Sequence, residues 1–333
     1  MVEAVSVIIT CYNLERYIDQ CVTSVKEQDY EGSIQIIVVN DASYDSSRYI
    51  LDKIDYIHIV QHTSNGGVLN AMLSGLKVSQ HDVIFFLDGD DVWHRTKVSF
   101  CMREFREGAR FVTHDLNYIN DSGQYLKNTT RVSEVLGNAK RADLSEMIRR
   151  GILKHDDFIW LGSAFGIRRS CCSIDEFLQQ CIDFEDVSAC YQDWPLAVWV
   201  ALQDRGVMSY VNEKLFDYRI HANNYSGSTQ TVEKLQRNLR KSLMTMMLIE
   251  TILEHFSAAQ EFRRAFRNAR RSYSLQLSAA SGPRSAVASE LFRAGLLNCL
   301  ANREIKPLIR AVLSIFLGHR LAHEVLERFK TSV

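Results

Sequence analysis

The stretch Val83-Ile84-Phe85-Phe86-Leu87-Asp88-Gly89-Asp90-Asp91 decides the fold of this 333-residue chain. Five consecutive apolar residues read as a strand buried on both faces, the pattern of a parallel sheet covered by helices. Three carboxylates and one glycine follow at once, at the carboxyl end of that strand, where open α/β sheets bind ligands. Carboxylates so close together repel one another unless a cation offsets them. A hard divalent ion that also carries a substrate phosphate meets that need, because such ions take one or two carboxylates and fill their shell with phosphate oxygens. Taken alone, the triplet also reads as an acidic turn capping the next helix.

The flanking sequence repeats the strand-helix alternation. Val5 to Thr10 is a first strand, Ile34 to Val39 a second ending at Asn40-Asp41-Ala42-Ser43, and Ile57 to Val60 a third. Asn13 stands where it can cap a helix whose apolar face is Tyr17, Ile18, Cys21, Val22 and Val25, and Asp45 can cap one over Ser46 to Ile54. Asn65-Gly66-Gly67 is a turn before a helix over Val68 to Val78. This order predicts right-handed βαβ units and a doubly wound, mainly parallel sheet. A helix is expected after Thr96, a strand over Phe111 to Asn117, and a hairpin-type turn at Asn120-Asp121-Ser122-Gly123. Periodicity is weak from 124 to 190. Asp193 can cap a helix with Pro195 in its first turn, and Val207 to Val211 is a short strand. From about residue 230 the pattern is helical, divided by Gly282-Pro283 and by Pro307.

Composition is ordinary for a globular protein, 46% hydrophobic and 24% charged, and three prolines exclude long Pro-rich linkers. The eight cysteines form no CxxC pair, which favours a reduced, cytoplasmic chain. The N-terminus lacks a basic n-region, and no apolar stretch reaches the length of a membrane span. The net charge of −1 hides an asymmetry: residues 230–333 carry +9 and the remainder −10. That basic tail contains Phe262, Ala265, Phe266, Ala269 and Tyr273 on one helical face, with Arg263, Arg264, Arg267, Arg270 and Arg271 around the rest. It predicts peripheral binding to an anionic membrane at its inner face, against the alternative that these helices pack on the protein itself. No nucleic-acid partner is expected.

Four segments in order carry a family resemblance: Ser6-Val7-Ile8-Ile9-Thr10-Cys11-Tyr12-Asn13, Val38-Val39-Asn40-Asp41-Ala42-Ser43, Leu87 to Asp91 with Trp93, and Gln192-Asp193-Trp194. Together they resemble glycosyltransferase family 2, whose members have the GT-A fold. The resemblance covers about the first 225 residues, so residues 1–229 are taken as the catalytic domain and 230–333 as a basic helical extension. It implies a nucleotide-sugar donor, a divalent metal (Mn²⁺ or Mg²⁺) and inversion at the anomeric carbon. Thr10, Tyr12 and Asn13 would lie on the donor side, with the Tyr12 ring against a flat base. Asp41 matches an acidic residue that contacts a pyrimidine, which favours a UDP-sugar. This chain departs from the family at Asn40 and Ala42, and again at Arg95 and Thr96.

The resemblance further assigns Asp88 to the ribose and metal, Asp90 to the metal directly, and Asp193 to the general base. Arg219 and His221, in Tyr218-Arg219-Ile220-His221, match a segment that binds diphosphate and completes the metal shell. The acceptor side would use Asp91, Asp157, Trp160 and Trp194. Processive members usually carry Gln-x-x-Arg-Trp and membrane spans, both missing here, so one sugar added to a glycan or lipid-linked acceptor, in cell-surface polysaccharide synthesis, is the expected reaction. A nucleotidyltransferase is the first rival, but the first strand ends in Thr10-Cys11-Tyr12-Asn13 and not in a Gly-rich triphosphate loop. A non-catalytic scaffold of the same fold is the second, and the intact Asp90 and Asp193 weigh against it.

Overall fold

The computed structural model describes residues 2–126, 162–203, 207–221, 231–256, 260–291 and 305–317, with isolated positions at 141–143, 145, 148, 224, 319, 322, 323 and 326. The chain divides into two compact units, 1–222 and 223–333, where the sequence suggested a boundary at 229/230.

The first unit is built on a sheet of order β3-β2-β1-β4-β8-β6-β9-β5. Its first half is β1 (Val5–Cys11), β2 (Ile34–Asn40), β3 (His58–Gln61) and β4 (Val83–Asp88), all parallel. The acidic stretch therefore continues a central strand, as the apolar run requires. Alternate residues face two layers. Val5, Val7, Ile9, Phe85 and Leu87 share a core with helix α1 (Ile18–Lys26) and helix α4 (Lys97–Arg106). On the opposite face Ile8 meets Gly75 of helix α3 (Gly67–Val78) so closely that a Cβ there would lie 2.3 Å from an Ile8 methyl. Helix α2 (Ser47–Leu51) links β2 to β3.

The second half mixes directions. A two-residue β5 (Val92–Trp93) pairs with β9 (Val207–Ile220), which runs parallel to β6 (Phe111–Asn120) and antiparallel to β7 (Arg141–Asp143). Between β4 and β6 lies β8 (Phe165–Arg168), antiparallel to both. Helices α5 (Ile174–Ile182) and α6 (Asp193–Leu202) complete the unit.

Several local expectations change. Strand β9 runs 14 residues, because its pairing to β6 shifts register between His114 and Asp115 and resumes at Lys214. The polar Asn212-Glu213 pair faces solvent at that irregularity, which interrupts the apolar pattern without ending the strand. Asn13 caps no helix. It sits at φ +54°, and its carboxamide oxygen accepts the Tyr44 N–H at 3.0 Å. Asp45 does receive the Ser47 N–H at 2.9 Å, at the start of a helix shorter than expected.

In the second unit, helix α7 (Val232–His255) packs against α8 (Gln260–Ser281), followed by α9 (Arg284–Glu290) and α10 (Ile305–Leu317). Gly282-Pro283 separates α8 from α9, but Pro307 lies in the first turn of α10, where a missing N–H costs nothing. Phe262, Ala265, Phe266 and Ala269 are buried, and Tyr273 packs on a cluster of Leu235, Leu239 and Ala280. The apolar face is therefore covered by protein. Among the described residues no helix is long and apolar enough to cross a membrane.

Candidate active site

The site forms where the parallel strands end. Register puts Thr10 beside Asp88 and Cys11 beside Asn40, so the loops after β1, β2 and β4 open at one level. After Asp88 the backbone turns at once: the Gly89 N–H donates to the Thr10 carbonyl at 2.9 Å and the Asp91 N–H to the Asp88 carbonyl at 3.0 Å. Residue 89 must be glycine, since a Cβ there would stand 2.7 Å from the Thr10 carbonyl oxygen.

The three carboxylates of that turn have different surroundings. Asp88 Oδ1 accepts from Thr10 Oγ1 at 3.1 Å and from Gln192 Nε2 at 2.6 Å, and its N–H donates to Ser163 Oγ at 2.9 Å. Asp90 faces His221, with Oδ2 3.0 Å from the ring Nε2. Asp91 is only 1% exposed and accepts from Ser163 Oγ at 2.6 Å and from the Arg219 N–H at 2.9 Å. Burial, and then the nearby Asp90 and Asp88 charges, push the Asp91 carboxyl well above the usual carboxylate range.

Beneath the turn lies Lys97, fully buried, with Nζ donating to the Ser163 carbonyl and resting 4.0 Å from the Trp93 ring centroid. Burial lowers its pKa from 10.5 to about 7. Arg219 also lies beneath. It is 2% exposed, with Nε on the Asp90 carbonyl at 2.8 Å, Nη2 on Gln20 Oε1 at 2.7 Å, and its guanidinium 4.9 Å from the Tyr17 ring centroid. These contacts hold the Asp90 backbone. Two residues expected on the acceptor side are also buried. Asp91 is enclosed beneath the turn, and Trp194, 4% exposed, belongs to the core face of α6. Asp157 and Trp160 lie outside the described residues.

On the other side of the crevice, Asp41 is buried. Its oxygens accept the Gly66 and Gly67 N–H groups at 2.8 Å each, and His62 Nδ1 lies 2.7 Å from Oδ1. It thus fixes the start of α3. Tyr12 is 39% exposed, and its ring meets that of Tyr44 edge-to-face, with centroids 6.1 Å apart.

Asp193 is the first residue of α6, one place inside the cap, and its Oδ1 accepts the Trp194 N–H at 3.0 Å. The side chain that ties this helix to the acidic turn is its neighbour Gln192, which lies in the Gln192-Asp193-Trp194 segment but carries no role of its own there. Gly162 packs directly on the tie, because a Cβ there would stand 2.2 Å from Gln192 Nε2 and 2.6 Å from Asp88 Oδ2. Ser163 and Lys97 carry no sequence signal of their own, and the motif around Gln192 does not show its role, as each works only through a partner distant in the chain.

Asp90 and His221 form a carboxylate-imidazole pair of the kind that takes a divalent cation. Among the described residues no group of three or more such side chains is assembled to hold a metal. The pair fits a cation whose remaining ligands are phosphate oxygens and water.

An α/β sheet with an acidic turn at the end of a central strand, tied by Gln192 to the start of a following helix, is an arrangement of the GT-A fold. The profile of Glycosyl transferase family 2 matches residues 6–173, and the chain belongs to that family. It is therefore a transferase enzyme. One similar protein is the UDP-Glc:alpha-D-GlcNAc-diphosphoundecaprenol beta-1,3-glucosyltransferase WfaP of Escherichia coli, 26% identical over 72% of this chain and 87% of that one. Another is the uncharacterized glycosyltransferase EpsJ of Bacillus subtilis, 38% identical over 94 residues, which are 27% of each chain. Among solved structures, S. aureus TarS 1–349 in complex with UDP-GlcNAc has a TM-score of 0.51 at 15% identity, over 98% of this chain and 92% of that one, a likeness of fold.

Proposed function

We propose that the protein moves one sugar from a UDP-sugar, with inversion, to a hydroxyl of a lipid-linked or polysaccharide acceptor in cell-surface polysaccharide synthesis. The observation that carries this reading is the 2.6 Å hydrogen bond from Gln192 to Asp88, which brings the helix that begins with Asp193 to the edge of the acidic turn. Donor-side and base-side carboxylates are thereby joined by one contact. The diphosphoundecaprenol-linked acceptor and UDP-Glc donor named for WfaP support the choice of donor and acceptor class.

In this reading the acceptor oxygen forms a bond to the anomeric carbon as the bond from that carbon to the diphosphate breaks. Asp193 takes the acceptor proton. Thr10 and Asp88 hold the ribose side, and Tyr12 lies against the base. Asp90 and His221, with Asp88 beside them, would hold Mn²⁺ or Mg²⁺, which when bound offsets the charge of the leaving diphosphate. Arg219 and Lys97 fix the turn from below. The basic helical unit holds the enzyme at an anionic membrane, where a lipid-linked acceptor resides.

The test compares two variants. Asp193→Asn keeps the size of the side chain but cannot take the proton, so turnover should fall on the order of 10²–10⁴-fold while UDP affinity persists. Asp90→Ala should lose the metal-dependent part of UDP affinity. Normal turnover in Asp193→Asn would place the base elsewhere.

A further inference from the structure

We propose that Tyr44 is the second wall of the donor's nucleobase pocket, forming with Tyr12 an aromatic corner that holds the base. This rests on the donor reading above and adds a residue that no sequence motif marks.

Tyr44 is 84% exposed, more than any other large apolar or aromatic side chain of the described residues. The other strongly exposed tyrosines have ties of their own: Tyr49 lies under the Lys53 ammonium, 3.9 Å from the ring centroid, and the Tyr125 hydroxyl donates to Asp217. Tyr44 has neither kind of tie among the described residues, and its ring meets Tyr12 at 84°. Two perpendicular rings offer one face and one edge, an arrangement that receives a flat heterocycle.

The exposure does not come from a loose loop. The loops after β1 and β2 are stitched by five hydrogen bonds. Asn13 N–H donates to Ser43 Oγ, Leu14 N–H to Ser47 Oγ, Glu15 N–H to Asp45, Tyr44 N–H to the Asn13 carboxamide and Ser46 N–H to Glu15, all between 2.8 and 3.0 Å. The same two loops hold the only non-glycine residues at positive φ among those described, Asn13 at +54° and Ala42 at +58°. Backbone in that region is costly, and such positions gather at ligand clamps. A stitched, strained pair of loops thus holds an aromatic ring in water.

Sheet order says which part of the donor meets it. Tyr44 follows β2, Tyr12 follows β1, Asp88 ends β4, and the Gly162-Ser163 turn precedes β8, in the spatial sequence β2-β1-β4-β8. The tie to Asp193 lies on the β4 and β8 side. A donor whose sugar points to Asp193 and whose ribose meets Asp88 places its base over β1 and β2, two strand spacings or roughly 10 Å away. That is where the corner stands.

Binding of UDP and of inorganic pyrophosphate, each with Mn²⁺, is measured by calorimetry on the full chain and on Tyr44→Ala and Tyr44→Phe. Loss of one stacked ring should weaken UDP roughly 5- to 150-fold in Tyr44→Ala, leave pyrophosphate unchanged, and leave Tyr44→Phe close to the unsubstituted chain. Unchanged UDP affinity in Tyr44→Ala overturns the proposal, as does an equal loss for pyrophosphate. If the unsubstituted chain prefers another nucleoside diphosphate, the uracil assignment fails and the same comparison with that nucleotide decides Tyr44. If it binds no nucleotide, both readings fall.

Discussion

Gly162→Ala perturbs the site without replacing a carboxylate. The new methyl carbon would stand 2.2 Å from Gln192 Nε2 and 2.6 Å from Asp88 Oδ2. Moving Nε2 out from 2.2 Å to the 3.4 Å of ordinary contact requires a shift of about 1.2 Å, and moving Oδ2 from 2.6 Å requires about 0.8 Å. Gln192 is buried and bonded at 2.6 Å to Asp88 Oδ1, so neither group yields without loosening the tie. Overpacking of this size costs about 1–3 kcal/mol of stability, which a protein of this length tolerates. A misplacement of about 1 Å at a reacting centre costs on the order of 10²-fold in rate. The expected result is a folded enzyme whose turnover is lower by about that factor, read by a coupled UDP-release assay beside a thermal melt. Gln192→Met, which keeps the volume but removes the amide donor, should act in the same direction without the crowding. Wild-type turnover in both variants would refute the reasoning that the Gln192–Asp88 contact sets the distance between donor and base.

Two further outcomes follow from other parts of the molecule. Lys97 has a folded-state pKa of about 7 against 10.5 when unfolded, so its buried charge is destabilising in full below pH 7 and progressively less so as the pH rises toward 10.5. Wild type should therefore gain stability relative to Lys97→Met across that window, measured by urea unfolding at several pH values, and a constant difference between the two would contradict it. In the helical unit, Arg264, Arg267 and Arg271 are exposed along one face of α8, whereas Arg270 pairs with Glu250 at 3.0 Å. Changing the three exposed arginines to Gln should weaken sedimentation with anionic vesicles on the order of 10²-fold at low salt, at about 1 kcal/mol per charge, and high salt should weaken the unsubstituted chain too. Undiminished binding by the triple variant would exclude this face.

The sequence by itself determined the half of the fold that rests on local pattern. Apolar runs at Val5 to Thr10, Ile34 to Val39 and Val83 to Leu87 can only be strands covered on both faces, and the helical segments between them force parallel pairing. It also located the acidic turn and the Asp193 helix, because a residue cluster at a strand end or helix start shows in the order of the chain. The tertiary structure decided what depends on contacts between distant segments. How Arg219 is held depends on Gln20 and the Asp90 carbonyl, 199 and 129 residues away. Whether the Phe262 and Phe266 stripe is exposed or covered by protein is set only by the folded chain, in which both are buried. Burial separates the three carboxylates of the turn, which are equivalent in sequence: Asp88 is held by Gln192, Asp90 turned to His221, and Asp91 enclosed by Ser163 and Arg219. Charge and spacing are written along the chain, but solvent exposure and the partner of each charge exist only after folding.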